Sequence, residues 1–436
     1  MEKSFHFTII TLLIFINFVE AQQVVSITKA DALSKISERN LALKISKKEF
    51  NQAKADFNQT NSIFLPNITA SHTGISTTNP LMAFGSKLNQ AILTQNDFNP
   101  NLLNNPKQTQ NFATILEIQQ PLINLDGLYQ RKAARSRMDA ILLKTERTAD
   151  YLTLEVEKAY MQLQLAYKGV QVLDKALQAA KANKEIAENS FKQGYLQRAD
   201  ILNIEMRVAD VRSQLQTAKS NVQNASNYLS FLMDDKTDVV FIPVDSLAIT
   251  SSIVEVQKIS ENRADIKAME LASKAHEQIN KANKMAFLPR LNLFGSYQMY
   301  DNKIFQGGAD GYLIGAELSW DIFQGSKRFA KAQKSKSEFE QSKLEYHQYV
   351  SKSYLELNKV KRQLEDAKNR LEYTNLAVQQ SEESLRIRKN RFKEGLEKTS
   401  DLLIAESKYA QKQLEYYQTI FEYNFTEKYL EFLTKN

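Results

Sequence analysis

The sequence predicts a mainly α protein with β. Long antiparallel helical hairpins occur twice, and each copy carries a pair of strands of membrane-spanning length. Three observations predict this class: heptad seams sustained over dozens of residues, an internal duplication, and alternating segments entered through Leu-Pro helix stops. The composition agrees, because only 12 Gly, 7 Pro and 1 Trp accompany 25% charged residues. Such a profile favours long helices over a compact mixed domain.

The chain opens with Lys3 and an apolar run over residues 7–19, and Val19-Glu20-Ala21 supplies a small-residue cleavage pattern before Gln22. Residues 1–21 therefore read as a secretory signal peptide, since the run falls short of the roughly 20 residues that span a bilayer. No later segment approaches a spanning helix, so a mature chain that enters a membrane does so through a closed β-barrel. The absence of cysteine excludes disulfides, thiolate metal sites and lipidation through an N-terminal Cys. The net charge of +7 is interleaved along helix faces, with no basic block for nucleic acid.

Phe191-Lys192-Gln193-Gly194, followed by Asp200-Ile201-Leu202, recurs 201 residues later as Phe392-Lys393-Glu394-Gly395 and Asp401-Leu402-Leu403. Phe64-Leu65-Pro66 recurs as Phe287-Leu288-Pro289. The first structural repeat is read as residues 22–232, a linking segment as 233–259 and the second repeat as 260–436. A seam runs through Leu152, Val156, Ala159, Leu163, Ala166, Val170, Leu173, Leu177, Ala180 and Ala187. The second repeat answers with Leu357, Val360, Leu364, Ala367, Leu371, Val378, Leu385 and Phe392. Beyond the first glycine turn, Ile204, Val208, Val211, Leu215, Ala218, Val222, Ala225, Leu229 and Leu232 give a return helix. Hairpins are expected over 126–232 and 326–433, with outgoing helices on the order of 100 Å at 1.5 Å per residue.

Strand pairs are expected at 64–76 with 112–120, and at 289–300 with 312–321. Leu291, Leu293, Gly295, Tyr297 and Met299 alternate with Asn292, Ser296 and Gln298. Tyr312, Ile314, Ala316, Leu318 and Trp320 alternate with Gly315, Glu317, Ser319 and Asp321. Period two with one apolar face marks half-buried strands. At about ten residues they match membrane-spanning strands, and Tyr297, Tyr300, Tyr312 and Trp320 suit interfacial girdles. The connection over 77–111, rich in Asn, Pro and Gln, reads as a long polar loop at the barrel's outer mouth. Four strands enclose no useful bore, so several chains must pool theirs.

Helix, Leu-Pro, strand, loop, strand, long helix, Phe-x-x-Gly turn and return helix, all duplicated, resemble the outer membrane efflux protein family typified by TolC. The resemblance implies a homotrimer with a shared twelve-stranded transmembrane barrel in outer-membrane lipid and an α-helical periplasmic tunnel. It also implies an outer-membrane channel of a tripartite efflux or type I secretion system, served by a periplasmic adaptor and an inner-membrane transporter. Phe241-Ile242-Pro243 would belong to an equatorial belt. The tips at Phe191, Gly194, Phe392 and Gly395 would close an iris, with Asp200 and Asp401 near the constriction. From the residues alone, each aspartate is also a candidate helix N-cap. Glu397 and Ile404 depart from the family's gate pattern, in which a basic residue and a second aspartate occupy those positions.

Catalytic chemistry has no visible constellation. His6, His72, His276 and His347 lack metal-ligand spacing, and neither a nucleophile elbow nor a phosphate cradle is present. No enzyme activity, cofactor or metal is expected. A secreted coiled-coil scaffold or periplasmic adaptor without a pore is the competing reading, and it leaves the duplicated strand pairs unexplained.

Overall fold

A computed structural model describes residues 23–235, 239–250 and 258–435. The expected signal peptide lies outside these residues. The chain divides into two compact units: one draws on residues 1–47, 145–263 and 351–436, the other on 48–144 and 264–350.

The elements run β1 (Gln23–Ile27), α1 (Lys29–Arg39), α2 (Leu41–Gln59), β2 (Asn67–Thr77), α3 (Pro80–Asn89), α4 (Pro100–Asn104), β3 (Thr109–Ile123), α5 (Leu125–Lys192) and α6 (Arg198–Leu232). There follow β4 (Val239–Pro243), α7 (Ala264–Met285), β5 (Arg290–Asp301), β6 (Ala309–Ser319), α8 (Lys327–Lys393) and α9 (Thr399–Thr434). The stretch read as an open polar loop holds α3 and α4. The reason is local: Asn79-Pro80 and Asn99-Pro100 each set an Asn cap before a first-turn Pro, a helix-start signal rather than loop filler.

In the first unit, the heptad seam is the core. Leu152, Val156, Ala159 and Leu163 of α5 pack with Val222, Leu229 and Leu232 of α6, and with Ile27, Ile36, Val239 and Phe241. β1 and β4 pair in parallel over this cluster, Gln23 opposite Val239 through Ile27 opposite Pro243. The buried Tyr160 hydroxyl donates to the Ile27 carbonyl at 3.2 Å and to Asp245, and that of Tyr167 donates to the Phe241 carbonyl at 3.1 Å. These bonds fasten the linking segment to α5. On α8 the seam is more polar: Leu357, Val360 and Ala367 are buried, but so are Ser353, Thr374 and Ser381.

In the second unit, four strands form one antiparallel sheet in the order β2-β3-β5-β6. β3 and β5 join the two strand pairs, with Leu116 opposite Tyr297 and Ile118 opposite Gly295. Arg290, at the start of β5, grips Asp126 with two hydrogen bonds of 3.1 and 2.6 Å. Within this sheet, β2 and β6 each keep one unpaired edge.

Candidate membrane-facing wall and periplasmic gate

The register settles which side chains share a face of the sheet. Ile68 stands opposite Ile118, Leu116 opposite Tyr297, Tyr297 opposite Tyr312, and Gly295 opposite Ile314. Because side chains alternate along a strand, Ile68, Ala70, Phe112, Leu116, Ile118, Leu291, Leu293, Tyr297, Ile314 and Leu318 all lie on one side. This apolar side is open: Ile68 is 60%, Ile314 76% and Leu318 68% exposed. The opposite side carries Thr69, Ser71, Thr73, Glu117, Gln119, Asn292, Ser296, Gln298 and Glu317, with Ile115, Phe294 and Leu313 among them. A sheet that leaves its apolar face open and gathers most of its polar side chains on the other is the inverse of a soluble packed sheet and the pattern of a lipid-embedded wall.

Tyr297 and Tyr312 sit side by side on the apolar face, and Trp320 follows β6. The Tyr297 hydroxyl donates to Asp310 at 2.8 Å, and the Trp320 indole donates to the Phe287 carbonyl at 2.9 Å. Tyr300 departs from the girdle expectation. It pairs with Ala113 on the polar face, an odd-even difference of one residue from Met299, and its hydroxyl donates to Gln298.

The tips follow from backbone chemistry. Gly194 has φ +84° and Gly395 φ +70°, left-handed values that cost an L side chain strain. The Gly194 amide donates to the Phe191 carbonyl at 2.9 Å and that of Tyr195 to Ser190 at 2.9 Å. The Gly395 amide donates to Phe392 at 3.1 Å and that of Leu396 to Arg391 at 2.9 Å. Both ends of the Phe-x-x-Gly motif are thus Schellman turns with glycine just past the helix. The two phenylalanines differ in environment. Phe392 is buried with Ala187, Ile201, Ile204 and Leu402, whereas Phe191 is 39% exposed.

Asp200 and Asp401 are not the N-caps. Gln197 and Lys398 hold those positions, and each aspartate stands three residues on. Each helix begins three residues earlier than an aspartate cap requires, so the aspartates fall inside the first helical turn. Asp200 there closes a capping box, its carboxylate accepting the Gln197 amide at 3.1 Å. Asp401 is half exposed and lies 3.8 Å from Arg388.

The sequence missed the charges that order the second tip. Glu397, only 10% exposed, accepts from Arg388 at 2.7 Å and from Arg391 at 2.9 Å. An acid at this position thus joins the two ends of the turn. Deeper in, Asn183 of α5 donates its amide to the buried carboxylate of Glu406 on α9. Burial pushes the Glu406 carboxyl above its ordinary range, against the pull of Arg207, the Asn183 hydrogen bond and Lys389. Among the described residues, Asn183 Oδ1, Glu406 Oε2, Arg207 Nε and Thr399 Oγ1 have no hydrogen-bond partner. Among the described residues no carboxylate or histidine cluster could hold a metal, and no helix is long and apolar enough to cross a membrane.

A model of the outer membrane efflux protein family matches residues 32–234 and 256–424. A search of curated protein sequences returns no match. Among solved structures, the channel CusC is similar at TM-score 0.80 and 16% identity, over 93% of this chain and 91% of its own. The CmeC outer membrane channel of Campylobacter jejuni follows at TM-score 0.77 and 17% identity, over 93% and 85%. The outer membrane protein VceC of Vibrio cholerae gives 0.77 and 17%, over 92% and 95%. The structures share the fold, and the family model spans most of the sequence. With the lipid-type sheet and the paired glycine-tipped hairpins, this places the chain in the outer membrane efflux protein family, as an outer-membrane efflux channel.

Proposed function

We propose that three copies pool their four strands into a twelve-stranded barrel, and that the barrel passes exported molecules received from a periplasmic adaptor and an inner-membrane transporter. The observation that carries this reading is a sheet with an exposed apolar face and two unpaired edges. In hydrocarbon an unpaired edge costs several kcal/mol per unsatisfied group, so β2 of one copy pairs with β6 of the next. The conduit is passive, and the transporter supplies the energy. Its two structural repeats, 22–232 and 260–436, are separated by the equatorial segment 233–259. Extraction from outer membranes tests the assembly: detergent-requiring, heat-modifiable trimers support it, while a monomer soluble without detergent refutes it.

Asp200 and Asp401 are the proposed gate residues at the periplasmic constriction. Three half-exposed Asp401 carboxylates around an axis would favour cations. Arg388 at 3.8 Å moderates that charge. Asp401→Ala should lower cation preference in bilayer conductance, and unchanged ion selectivity removes the ring from the gate.

A further inference from the structure

The segment after β2 is built, and it is built on the inner side of the wall. Asn79 caps α3, its side chain accepting the Met82 amide at 3.2 Å. A Schellman turn closes it, with Ala91 at φ +55° and the Ile92 amide donating to the Lys87 carbonyl at 3.1 Å. The underside of α3, Ala83 and Ser86, is buried, and α3 packs against β3. Just past the helix, Gln90 donates to the Gln110 carbonyl and to Asn111 Oδ1, both at 2.8 Å. Thr109, Asn111 and Ala113 of β3 are buried at this end. All three are odd-numbered, and so share the polar face with Glu117 and Gln119. The helix therefore covers the pore side of the wall rather than its lipid side.

Among the described residues, the other side of α3 has no partner. Leu81, Gly85 and Leu88 follow i, i+4, i+7 spacing, and Ile92 continues past the turn. Leu81 is 82%, Leu88 57% and Ile92 46% exposed. Among the described residues, nothing outside the helix's own backbone lies within 4 Å of where a Gly85 Cβ would stand. Glycine inside a helix costs about 1 kcal/mol relative to alanine, and no neighbour in the protomer uses the room it leaves. The nearby charge is taken up elsewhere, Lys87 being paired with Asp97 at 2.7 Å. α3 also begins three residues after β2, the edge strand that must pair with another copy.

We propose that α3 is an inward-folded closure of the outer mouth, in which Leu81, Leu88 and Ile92 of neighbouring copies meet over the pore and Gly85 lets the helices approach. The occupant of the stripe is a second copy of the same helix. An apolar ring of this kind gates by dewetting. The inference rests on the pooled barrel, and the experiment separates the two.

The chain has no cysteine, so Leu88→Cys introduces a unique thiol. A disulfide requires Cα atoms within about 7 Å. Oxidation of trimers in outer membranes should join Leu88→Cys subunits in pairs, while Ile314→Cys, on the lipid face, should stay uncrosslinked. Leu81→Ser/Leu88→Ser should raise single-channel conductance more than about twofold by wetting the ring. Intact trimers in which Leu88→Cys links no more than Ile314→Cys, with unchanged conductance in the serine variant, overturn the closure and leave the barrel standing. Absence of wild-type trimers overturns both.

Discussion

Asn183 and Glu406 show what a single proton does in this protein. With Glu406 ionised, the Asn183 amide is satisfied, but Asn183 Oδ1 and Glu406 Oε2 are both left without partners. A proton on Oε2 removes the charge that burial penalises and leaves the α5–α9 hydrogen bond from Asn183 in place. The raised carboxyl agrees with this state. A group whose folded pKa is raised stabilises the fold below its ordinary value of 4.5, and that contribution is lost as pH climbs through the raised value. Glu406→Gln keeps the shape and the acceptor for Asn183 without the buried charge. It should raise the thermal midpoint at pH 8, where Glu406 carries the charge that burial disfavours. It should change little near pH 4, and equal midpoints for both proteins at pH 8 contradict a cost of burying this carboxylate. Gly395→Ala tests the tip in the same way. Its left-handed φ predicts a loss of about 1–2 kcal/mol, read as faster hydrogen exchange at the end of α8.

At the scale of elements, the two faces of the sheet behave as different solvents. Ile314→Arg, mid-strand on the apolar face, should cost about 2–4 kcal/mol of barrel stability in lipid, whereas Ser296→Arg on the polar face should be tolerated. Refolding into detergent micelles or lipid vesicles measures both, and equal losses contradict the assignment of faces. The strands and long helices were legible because period two and the heptad are written locally in the side chains. Glycine turns were legible for the same reason, since a left-handed residue selects glycine. The helices in 77–111 were not, because Asn and Pro serve both loops and helix starts. Nor was the N3 placement of Asp200 and Asp401, because aspartate is favoured both at the cap and in the first helical turn, and a helix that starts three residues earlier leaves the composition unchanged. The Glu397 pairs with Arg388 and Arg391 close across the turn, and the Asn183–Glu406 contact joins residues 223 apart. Such pairings leave no trace in a local pattern.

For the whole molecule, the sequence carries the family through the order of its motifs rather than through any one of them. Each of Phe-x-x-Gly, Leu-Pro and the alternating strands is common alone, and only their duplicated succession is specific. The proposed assembly rests on chemistry that one copy cannot complete: two open edges and a bare apolar face. Accessibility along β5 and β6 in intact outer membranes tests that chemistry, using single cysteines in the cysteine-free chain. Cysteines at positions 291, 293 and 314 should resist a water-soluble maleimide and be quenched by lipid-borne nitroxide. Those at 292, 296 and 317 should react with the maleimide and escape quenching. Equal reactivity along both strands, or the opposite alternation, would mean that the sheet is not a wall in lipid.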